Sequence, residues 1–403
     1  MLAPDAAWKI VLDSVQPLES VRSPLMEAFG FCLAEPVRAD RDIPPTDRSA
    51  MDGYAVRSED LRSAPCALKL AGEIPAGSPA KLRVRPGCCI RIYTGACLPT
   101  GADAVAIIEQ AQEDNGRVRF KTSVQPGQNI LRRGEDARKG ALLLSPGTRI
   151  GAAETGICAA VGKAQIRVHR RPRVTILCTG SELVSVDERP AGHAIRNSAG
   201  PTITAALAQW GFPGARFVTL GDERRTIAAA LRRALRNHDV ILVTGGISVG
   251  RYDFVPEAIR AVGGEIRFHG VAMKPGKPSL YAAFGTNQHI FGLPGNPLSA
   301  LTALHEYALP ALRRLSGQPP ERCRPSLFLP LAEEVESKPG RWRYQLARLE
   351  ATARGLAVTP VGSHSSADLP SAGGADGVIR MAPDQRRLPE GEAVEFRPWR
   401  PWP

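Results

Sequence analysis

The stretch between residues 239 and 300 constrains the fold of this 403-residue chain more than any other. Runs typical of buried strands at 240–243, 279–284 and 289–292 alternate there with Gly/Pro-rich loops and a helical segment. This alternation is typical of a βαβ arrangement, in which the strands share one sheet and the loops gather at its edge. Because ligands bind beyond the carboxyl ends of parallel strands, we expect these loops to carry the chemistry.

The loops of this region contain residue types that bind anions. Thr244-Gly245-Gly246 follows the first strand, and glycine lets the backbone approach a ligand closely. In MKPGKP, Lys274 and Lys277 flank a Pro-Gly turn that cannot be helical, so both ammonium groups can converge on one oxyanion. A second glycine loop, residues 179–182, follows the strand VTILC. Taken alone, each loop could equally be a tight turn or a solvated surface.

Three carboxylates follow predicted strand ends in the same region. Glu182, Asp222 and Asp253 occupy these positions, so we expect them to share one crevice. Carboxylates beside lysines suit Mg²⁺ and a polyphosphate, because hard cations prefer oxygen ligands and bridge to phosphate oxygens. The alternative is ordinary surface charge, which no single one of the three excludes.

Charge and cysteine usage limit the class of protein. A net charge of +12 is compatible with a nucleic-acid binder. However, the arginines are interspersed with acidic residues, only 5% of residues are aromatic, and no helix-turn-helix or RNP-like pattern occurs. An anionic small substrate is therefore favoured. The eight cysteines lack metal-site spacing, and we expect neither a signal peptide nor a membrane span. We expect a cytoplasmic protein with reduced thiols.

The rest of the chain predicts a multidomain α/β plus β fold. Apolar residues at helical spacing indicate an N-terminal helix containing Trp8 and Val11, and a short helix at 25–29. Further helices are predicted at 202–210, 224–236 and 298–315. Short alternating runs between 66 and 135 predict a small β domain, and similar runs after Pro319 predict another. The predicted domains are a discontinuous helical one at 1–40 and 137–170, a β-rich one at 41–136, an α/β one at 171–317 and a β one at 318–403.

Seven motifs together resemble the signatures of one family. They are RSAMDGYA at 48–55, YTGA with GADAV at 93–105, RRGED at 132–136, TGSEL at 179–183, GGISVG with Asp253 at 245–253, KPGKP at 274–278 and LPGNP at 293–297. In this order and at these separations the chain resembles the molybdopterin molybdenumtransferases, which include bacterial MoeA and the enzymatic E domain of gephyrin. The resemblance covers essentially the whole chain.

The resemblance implies both an architecture and a reaction. It implies a homodimer of elongated four-domain subunits, with a MogA-like α/β domain containing a mixed, mainly parallel sheet, and a C-terminal β-barrel. The family inserts molybdenum from molybdate into adenylylated molybdopterin and releases AMP with Mg²⁺, a late step of molybdenum cofactor biosynthesis. It also implies docking with the molybdopterin adenylyltransferase and with cofactor-receiving enzymes, and no nucleic-acid or membrane partner.

The resemblance also assigns roles to residues of this chain. The catalytic residues it implies are Asp52, Asp136, Asp253, Lys274 and Lys277, and the metal ligands are Glu182, Asp222 and Asp253. The substrate-binding residues it implies are Thr94, Gly180, Ser181, Glu182, Asn197, Gly245, Gly246, Ser248, Pro278, Ser279, Pro294, Asn296 and Arg348. Asp52, Thr94 and Asp136 would come from the other subunit, and Ser363, Ser365 and Ser366 would border molybdate together with Arg348.

Some positions depart from the family pattern, and alternatives remain. Ser181 stands where the family often has aspartate, Asn197-Ser198-Ala199 where it often has Asp-Ser-Asn, and Gly374 where an arginine is common. His269, His289 and His305 are expected to be structural, as is Cys178. A MogA-type molybdopterin adenylyltransferase would need only the α/β domain, and a gephyrin-like scaffold would bind a peptide.

Overall fold

The computed structural model describes residues 1–248, 250, 253–285, 287–353 and 355–401. Val249 of the GGISVG motif lies outside the described residues. Contacts divide the chain into two compact units: unit 1 comprises Met1–Glu35, Pro146–Ala152 and Gln165–Pro403, and unit 2 comprises Pro36–Ser145 and Ala153–Ala164. Among the helices of the described part, none has the length and apolar character needed to cross a membrane.

The helices are short, and most lie in unit 1. They are α1 (Pro4–Ser14), α2 (Ala152–Ala160), α3 (Ala199–Gln209), α4 (Arg224–Asn237), α5 (Val255–Ala261), α6 (Pro297–Ala303), α7 (Leu309–Leu315), α8 (Pro320–Cys323) and α9 (Leu369–Gly373). Single 3-10 turns occur at Leu25–Glu27, Ser58–Leu61 and Ile108–Gln110, and a π-helical turn occurs at Leu304–Ala308.

The strands fall into three stretches of the chain. The first contains β1 (Ser20–Pro24), β2 (Val37–Arg38), β3 (Arg48–Ser49), β4 (Gly53–Val56), β5 (Cys66–Ile74), β6 (Cys88–Ile92), β7 (Ala104–Ile107), β8 (Ala111–Asp114), β9 (Arg117–Phe120), β10 (Ile130–Leu131), β11 (Leu142–Leu144) and β12 (Gln165–His169). The second contains β13 (Val174–Thr179), β14 (Leu183–Val184), β15 (Ile195–Arg196), β16 (Arg216–Leu220), β17 (Val240–Thr244), β18 (Glu265–His269), β19 (Met273–Lys274), β20 (Leu280–Phe284) and β21 (Gln288–Leu293). The third contains β22 (Leu327–Pro330), β23 (Val335–Glu336), β24 (Trp342–Thr352), β25 (Gly355–Pro360), β26 (Gly377–Met381), β27 (Arg387–Leu388) and β28 (Ala393–Pro398).

A six-stranded mixed sheet forms the centre of unit 1, with the strand order β16-β13-β17-β21-β20-β18. β16, β13, β17 and β21 pair in parallel. From β13 the chain passes through α3 to β16 on one side, and then through α4 to β17 on the other side of β13. The strand order therefore reverses between β13 and β17, which is the topological switch point where α/β sheets bind ligands.

The direction of β20 differs from the predicted βαβ pattern. β20 pairs antiparallel with both β21 and β18, because the connection from β20 to β21 is far too short for the crossover that parallel pairing needs. Leu280 at the start of β20 lies opposite Gly292 near the end of β21. The MKPGKP turn before β20 therefore reaches the same edge as the carboxyl ends of the parallel strands, as the loop prediction required.

The N-terminal helix prediction is confirmed, whereas two other helix predictions need correction. Trp8 and Val11 of α1 are buried in the core shared with the central sheet and α6–α7. The predicted helix at 25–29 is only a 3-10 turn. The predicted continuous helix at 298–315 is interrupted by the π-helical turn. Pro310 gives a physical reason, since it lacks the N–H that would bond to the carbonyl of Glu306.

A second sheet is built mainly from strands that follow residue 320. Its strand order is β19-β24-β26-β28-β22, and β25 pairs with residues 347–352 of β24. β19 belongs to the central region of the chain, and its Lys274 pairs with Arg343 of β24. This pairing places Lys274 beside the C-terminal sheet. An isolated bridge between Leu331 and Val358 also links the segment after β22 with β25.

Unit 2 is built on a six-stranded sheet in the order β7-β4-β6-β5-β9-β8. This is the small β structure predicted from the alternating runs. Its core includes Tyr54 and Phe120, whose rings meet edge to face with centroids 5.6 Å apart.

Candidate active site

A cavity of about 660 Å³ opens at the switch point of the central sheet. It lies within unit 1 and is lined by loops that follow β13, β16, β17 and β21. The predicted residues that line it are Gly180, Glu182, Asn197, Asp222, Gly245, Gly246, Ser248, Asp253, Pro278, Pro294 and Asn296. The N-terminus of α3 also reaches the cavity through Ser198 and Ala199, and a helix N-terminus favours an anion.

Two glycines after β17 shape the floor of the cavity. Gly245 and Gly246 have φ angles of +85° and +60°, a conformation that side-chain-bearing residues rarely adopt. A Cβ on Gly245 would lie 2.2 Å from the carbonyl oxygen of Thr179. Within the described chain, the backbone N–H groups of Gly246, Ile247 and Ser248 have no protein acceptor. The turn therefore offers hydrogen-bond donors to an anionic ligand.

The three predicted carboxylates line this same cavity. Asp222 accepts a hydrogen bond from the N–H of Ser181 at 2.8 Å, and Asp253 accepts one from the N–H of Gly250 at 2.6 Å. Glu182 stands on the loop between β13 and β14. Asp222 is therefore held by the loop after β13 and Asp253 by its own loop, and the loops of all three carboxylates meet at one opening.

The described residues include no group of three His, Cys, Asp or Glu side chains placed to hold a metal ion by themselves. Mg²⁺ usually takes only one or two protein carboxylates, and completes its octahedron with waters and substrate phosphates. The carboxylates of the cavity therefore fit Mg²⁺ when a phosphate-bearing ligand supplies the remaining oxygens. They do not form a closed metal site.

A second cavity, of about 290 Å³, lies beside the first. It is lined by Lys274, Pro275, Leu298, Arg343, Tyr344, Gln345, Ser363, His364, Ser365 and Ser366. The structure thus places Lys274 beside the three serines that the family resemblance implies at the molybdate. Lys277 is exposed on the same turn, whose next residue, Pro278, lines the first cavity.

A thin boundary separates the two cavities. Asn296, which lines the first cavity, donates a hydrogen bond from Nδ2 to Oγ of Ser366, which lines the second, at 2.7 Å. The N–H of Ser299 also donates to the carbonyl of Ser366 at 3.3 Å. Ala367, the next residue along the chain, borders the first cavity. Two ligands bound in these cavities would therefore be close neighbours.

Two predicted substrate-binding residues direct their polar groups into the protein. Asn197 is only 1% exposed; its Oδ1 accepts from the N–H of Gly200, and its Nδ2 donates to Thr219 Oγ1 at 3.0 Å. Ser279 is equally buried, and its hydroxyl donates to the carbonyl of Gly276 at 2.6 Å. Asn197 thus fixes the start of α3, and Ser279 fixes the Lys274–Lys277 turn.

Arg348, a predicted substrate-binding residue, pairs with a carboxylate on its own strand. It lies on β24 outside the residues that line either cavity. Its Nη2 is 2.5 Å from Oε1 of Glu350. The hydroxyl of Thr359 and then Arg348 lower the pKa of the Glu350 carboxyl, so the Arg348 guanidinium already has an anionic partner.

The remaining predicted site residues belong to unit 2. Asp52 Oδ1 accepts from both the N–H and the hydroxyl of Thr94, at 2.7 and 2.8 Å. These hydrogen bonds, the backbone one first, lower the pKa of Asp52. Asp136 is exposed at the turn after β10. Unit 2 therefore presents an ionised Asp52 carboxylate that is held in place by Thr94.

Family models match three consecutive regions of the chain. Residues 2–162 match the MoeA N-terminal region (domain I and II), residues 175–314 a probable molybdopterin binding domain, and residues 329–399 the MoeA C-terminal region (domain IV). A molybdopterin molybdenumtransferase from Staphylococcus epidermidis is 32% identical over 394 residues, which is 96% of this chain and 93% of the relative. The chain belongs to the molybdopterin molybdenumtransferase family.

Other members of the family are also similar to this chain over most of its length. A molybdopterin molybdenumtransferase from Nostoc is 38% identical over 312 residues, covering 76% of this chain and 71% of its own length. A crystal structure of a molybdopterin biosynthesis MoeA protein from Pyrococcus horikoshii superposes with a TM-score of 0.84 at 27% identity, covering 99% of this chain and 100% of the other. Because the matches extend on both sides of the α/β region, a stand-alone MogA-type enzyme is disfavoured.

The cavity also contains residues that the sequence interpretation missed. Thr179, Arg196 and Ser198 line it without having been predicted. Ser198 immediately precedes α3, so an N-cap signal could have indicated it. Thr179 begins the predicted glycine loop 179–182, but a binding role was assigned only to Gly180, Ser181 and Glu182 of that loop. In this member of the molybdopterin molybdenumtransferase family, the strand end itself belongs to the site.

Proposed function

We propose that this protein is a molybdopterin molybdenumtransferase, which inserts molybdenum from molybdate into adenylylated molybdopterin and releases AMP. The observation that carries the proposal is the pair of adjoining cavities joined at Asn296 and Ser366. One offers glycine-loop N–H groups and carboxylates, and the other offers Lys274 and serine hydroxyls. The first suits a phosphate-bearing pterin with a hard cation, and the second suits a small oxyanion such as molybdate.

The residues of the first cavity fit the demands of AMP release. Cleavage of the bond between AMP and the pterin phosphate leaves negative charge on the departing oxygens, and fixed donors stabilise that charge. The N–H groups of Gly246 to Ser248 and the exposed ammonium of Lys277 are donors of this kind. Mg²⁺ held by Asp222, Asp253 or Glu182 would neutralise phosphate charge when bound.

The second cavity fits the oxyanion. Lys274 is held by pairing of β19 with β24, so its backbone is tied to the C-terminal sheet. Ser363, Ser365 and Ser366 supply hydroxyl donors around it. Molybdate placed there would adjoin the ligand of the first cavity, which brings the two reactants together and lowers the entropic part of the barrier.

The proposal includes a homodimer in which Asp52, Thr94 and Asp136 of a second copy complete the site. It also includes four domains with the predicted limits, a C-terminal β-barrel and a cytoplasmic location. The bridge between Leu331 and Val358 supports closure of the C-terminal sheet. The Asp52–Thr94 pair supports a positioned carboxylate from unit 2. Docking with an adenylyltransferase and with cofactor-receiving enzymes follows from the same reaction sequence.

The decisive experiment measures AMP release from adenylylated molybdopterin with Mg²⁺, before and after addition of molybdate. We expect molybdate-dependent release by the wild-type protein. Asp253→Asn and Lys274→Ala should each lower the rate roughly 100-fold or more, because each removes charge stabilisation at a reacting group. Lys338→Ala removes an exposed lysine elsewhere and should retain the wild-type rate. Failure of the wild-type protein to release AMP on addition of molybdate would refute the proposal.

A further inference from the structure

Thr179 holds a hydroxyl group that has no partner in the described protein. Thr179 is the last residue of β13 and is 5% exposed. Its Oγ1 is buried and makes no hydrogen bond. Buried hydroxyls in folded proteins nearly always have partners, because an unpaired one loses its water without compensation. The exception at Thr179 therefore needs a physical explanation.

The position of this hydroxyl points to a ligand. Thr179 lines the larger cavity at the switch point between β13 and β17, where open α/β sheets bind their ligands. The Gly245–Gly246 turn lies directly over Oγ1. A Cβ on either glycine would lie 3.0 or 2.9 Å from this oxygen. The backbone of this turn, which carries no side chain at the two glycines, therefore lies beside the buried hydroxyl, and a ligand that reaches Oγ1 must displace it.

The neighbouring groups indicate what kind of ligand it is. The N–H groups of Gly246, Ile247 and Ser248, which have no acceptor among the described residues, are donors on the same turn. The hydroxyl of Thr179 adds a fourth donor beneath them. A cluster of donors around glycines suits an oxyanion, as in other backbone anion sites.

We propose that Thr179 Oγ1–H donates a hydrogen bond to a phosphate oxygen of the substrate when the substrate enters the cavity. This inference rests on the proposed function, since it assumes a phosphate-bearing substrate in this cavity. The hydroxyl is unpaired in the free protein and becomes paired in the complex. Thr179 is therefore a substrate-binding residue whose polar group contributes to affinity and not to folding.

The test compares Thr179→Val with the same substitution at a second threonine whose hydroxyl is also buried and unpaired. Thr204 on α3 also has a buried Oγ1 without a partner, and it does not line the cavity. Both substitutions replace a hydroxyl by a methyl group of similar size. Inorganic pyrophosphate is the probe, and its dissociation constant is measured by calorimetric titration in buffer containing Mg²⁺.

We expect Thr179→Val to raise the pyrophosphate dissociation constant roughly 10- to 100-fold, the range for losing a hydrogen bond to a charged group. Thr204→Val should leave it unchanged. Thr179→Ser keeps the hydroxyl and should bind within about threefold of the wild-type protein, since the bond to the charged group is retained. Both valine variants should melt at or above the wild-type temperature, because neither loses a hydrogen bond in the free protein.

Several results would overturn the inference. One is that Thr179→Val binds pyrophosphate as tightly as the wild-type protein, and another is that the wild-type protein does not bind pyrophosphate. A third is a lower melting temperature for Thr179→Val alone, which would indicate that the hydroxyl has a structural role. These outcomes are distinct from a failure of the proposed function. A wild-type protein that binds pyrophosphate through Thr179 but releases no AMP with molybdate would refute only the transferase reaction.

Discussion

Ser181 and Asp222 hold each other in place across the mouth of the larger cavity. The N–H of Ser181 donates to Asp222 Oδ2 at 2.8 Å, and the N–H of Asp222 donates to Ser181 Oγ at 3.1 Å. These reciprocal bonds join the loop after β13 to the loop after β16. An aspartate at position 181, which the family pattern often has, would place a second carboxylate against Asp222 and repel it. The serine therefore fixes Asp222 without adding charge.

The first prediction concerns this reciprocal pair. Ser181→Ala should lower the apparent affinity for Mg²⁺ in the AMP-release assay. The half-saturating Mg²⁺ concentration should rise about 3- to 10-fold, because one hydrogen bond that orients Asp222 is lost. Stability should fall by about 1 kcal/mol in urea unfolding. Ser337→Ala, which removes an exposed hydroxyl distant in sequence, serves as the control. Equal Mg²⁺ curves for the two variants would contradict the role assigned to Ser181.

The loops of the site were predictable because topology alone brings them together. The carboxyl ends of parallel strands meet at one edge, so Glu182 and Asp253 could be placed in one crevice from strand ends only. The sequence did not show that the Asn197 amide turns into the protein, because its partner Thr219 lies on the next strand of the sheet. The side-chain partner of Arg348 likewise depends on how β24 faces its neighbours.

The existence of these strands and helices was predictable, whereas strand direction and the interruption of a helix were not. The apolar runs indicated β17, β20 and β21, but not that β20 runs antiparallel, since periodicity carries no information on direction. The apolar stripe of residues 298–315 likewise predicted one helix. The π-helical turn at Leu304–Ala308 arises from a local backbone adjustment to which hydrophobic spacing is insensitive.

The second prediction concerns Gly245. Gly245→Ala should destabilise the protein by at least ~2 kcal/mol, because the new Cβ meets the Thr179 carbonyl at 2.2 Å in addition to the strained φ of +85°. Pyrophosphate binding should be lost. Gly77→Ala is the matched control, since Gly77 has a φ of +81° but nothing within 4 Å of a Cβ; strain alone should cost about 1 kcal/mol. Similar unfolding curves for both variants would show that the close contact has no effect.

The third prediction concerns a buried ion-pair network centred on Glu306. Glu306 is 1% exposed on the π-helical turn, with Arg397 at 2.6 Å, the hydroxyl of Tyr344 at 3.1 Å and Arg324 at 3.7 Å. These contacts tie the helix of the α/β region to the C-terminal sheet. Glu306→Ala should destabilise the protein by about 3 kcal/mol, the lower end of the range for a broken buried pair, because Arg397 stays buried and keeps only its bonds to Glu395.

A paired variant separates the ion pair from simple packing. Glu306→Leu with Arg397→Met replaces both charges by apolar groups, so it should recover most of the stability lost in Glu306→Ala. Urea unfolding of both variants provides the measurement. If the double variant is less stable than Glu306→Ala, then the bonds of Arg397 to Glu395 outweigh the cost of burying Arg397 without Glu306.

The last prediction concerns the dependence of stability on pH. His289 and His305 are 2% and 8% exposed, and burial lowers the pKa of each to about 4. Both are therefore neutral in the folded protein but become protonated in the unfolded chain below pH 6.5. Their contribution to stability is complete above pH 6.5 and is lost as the pH falls toward 4, by up to about 3 kcal/mol each.

Unfolding in urea between pH 7 and pH 4 tests this prediction. The wild-type protein should lose stability steadily over that interval, and His289→Gln with His305→Gln should show a shallower slope because the titrating groups are gone. His193→Gln, at an exposed position, should retain the wild-type slope. An unchanged slope in the double variant would mean that other groups, and not these two histidines, set the acid sensitivity of the fold.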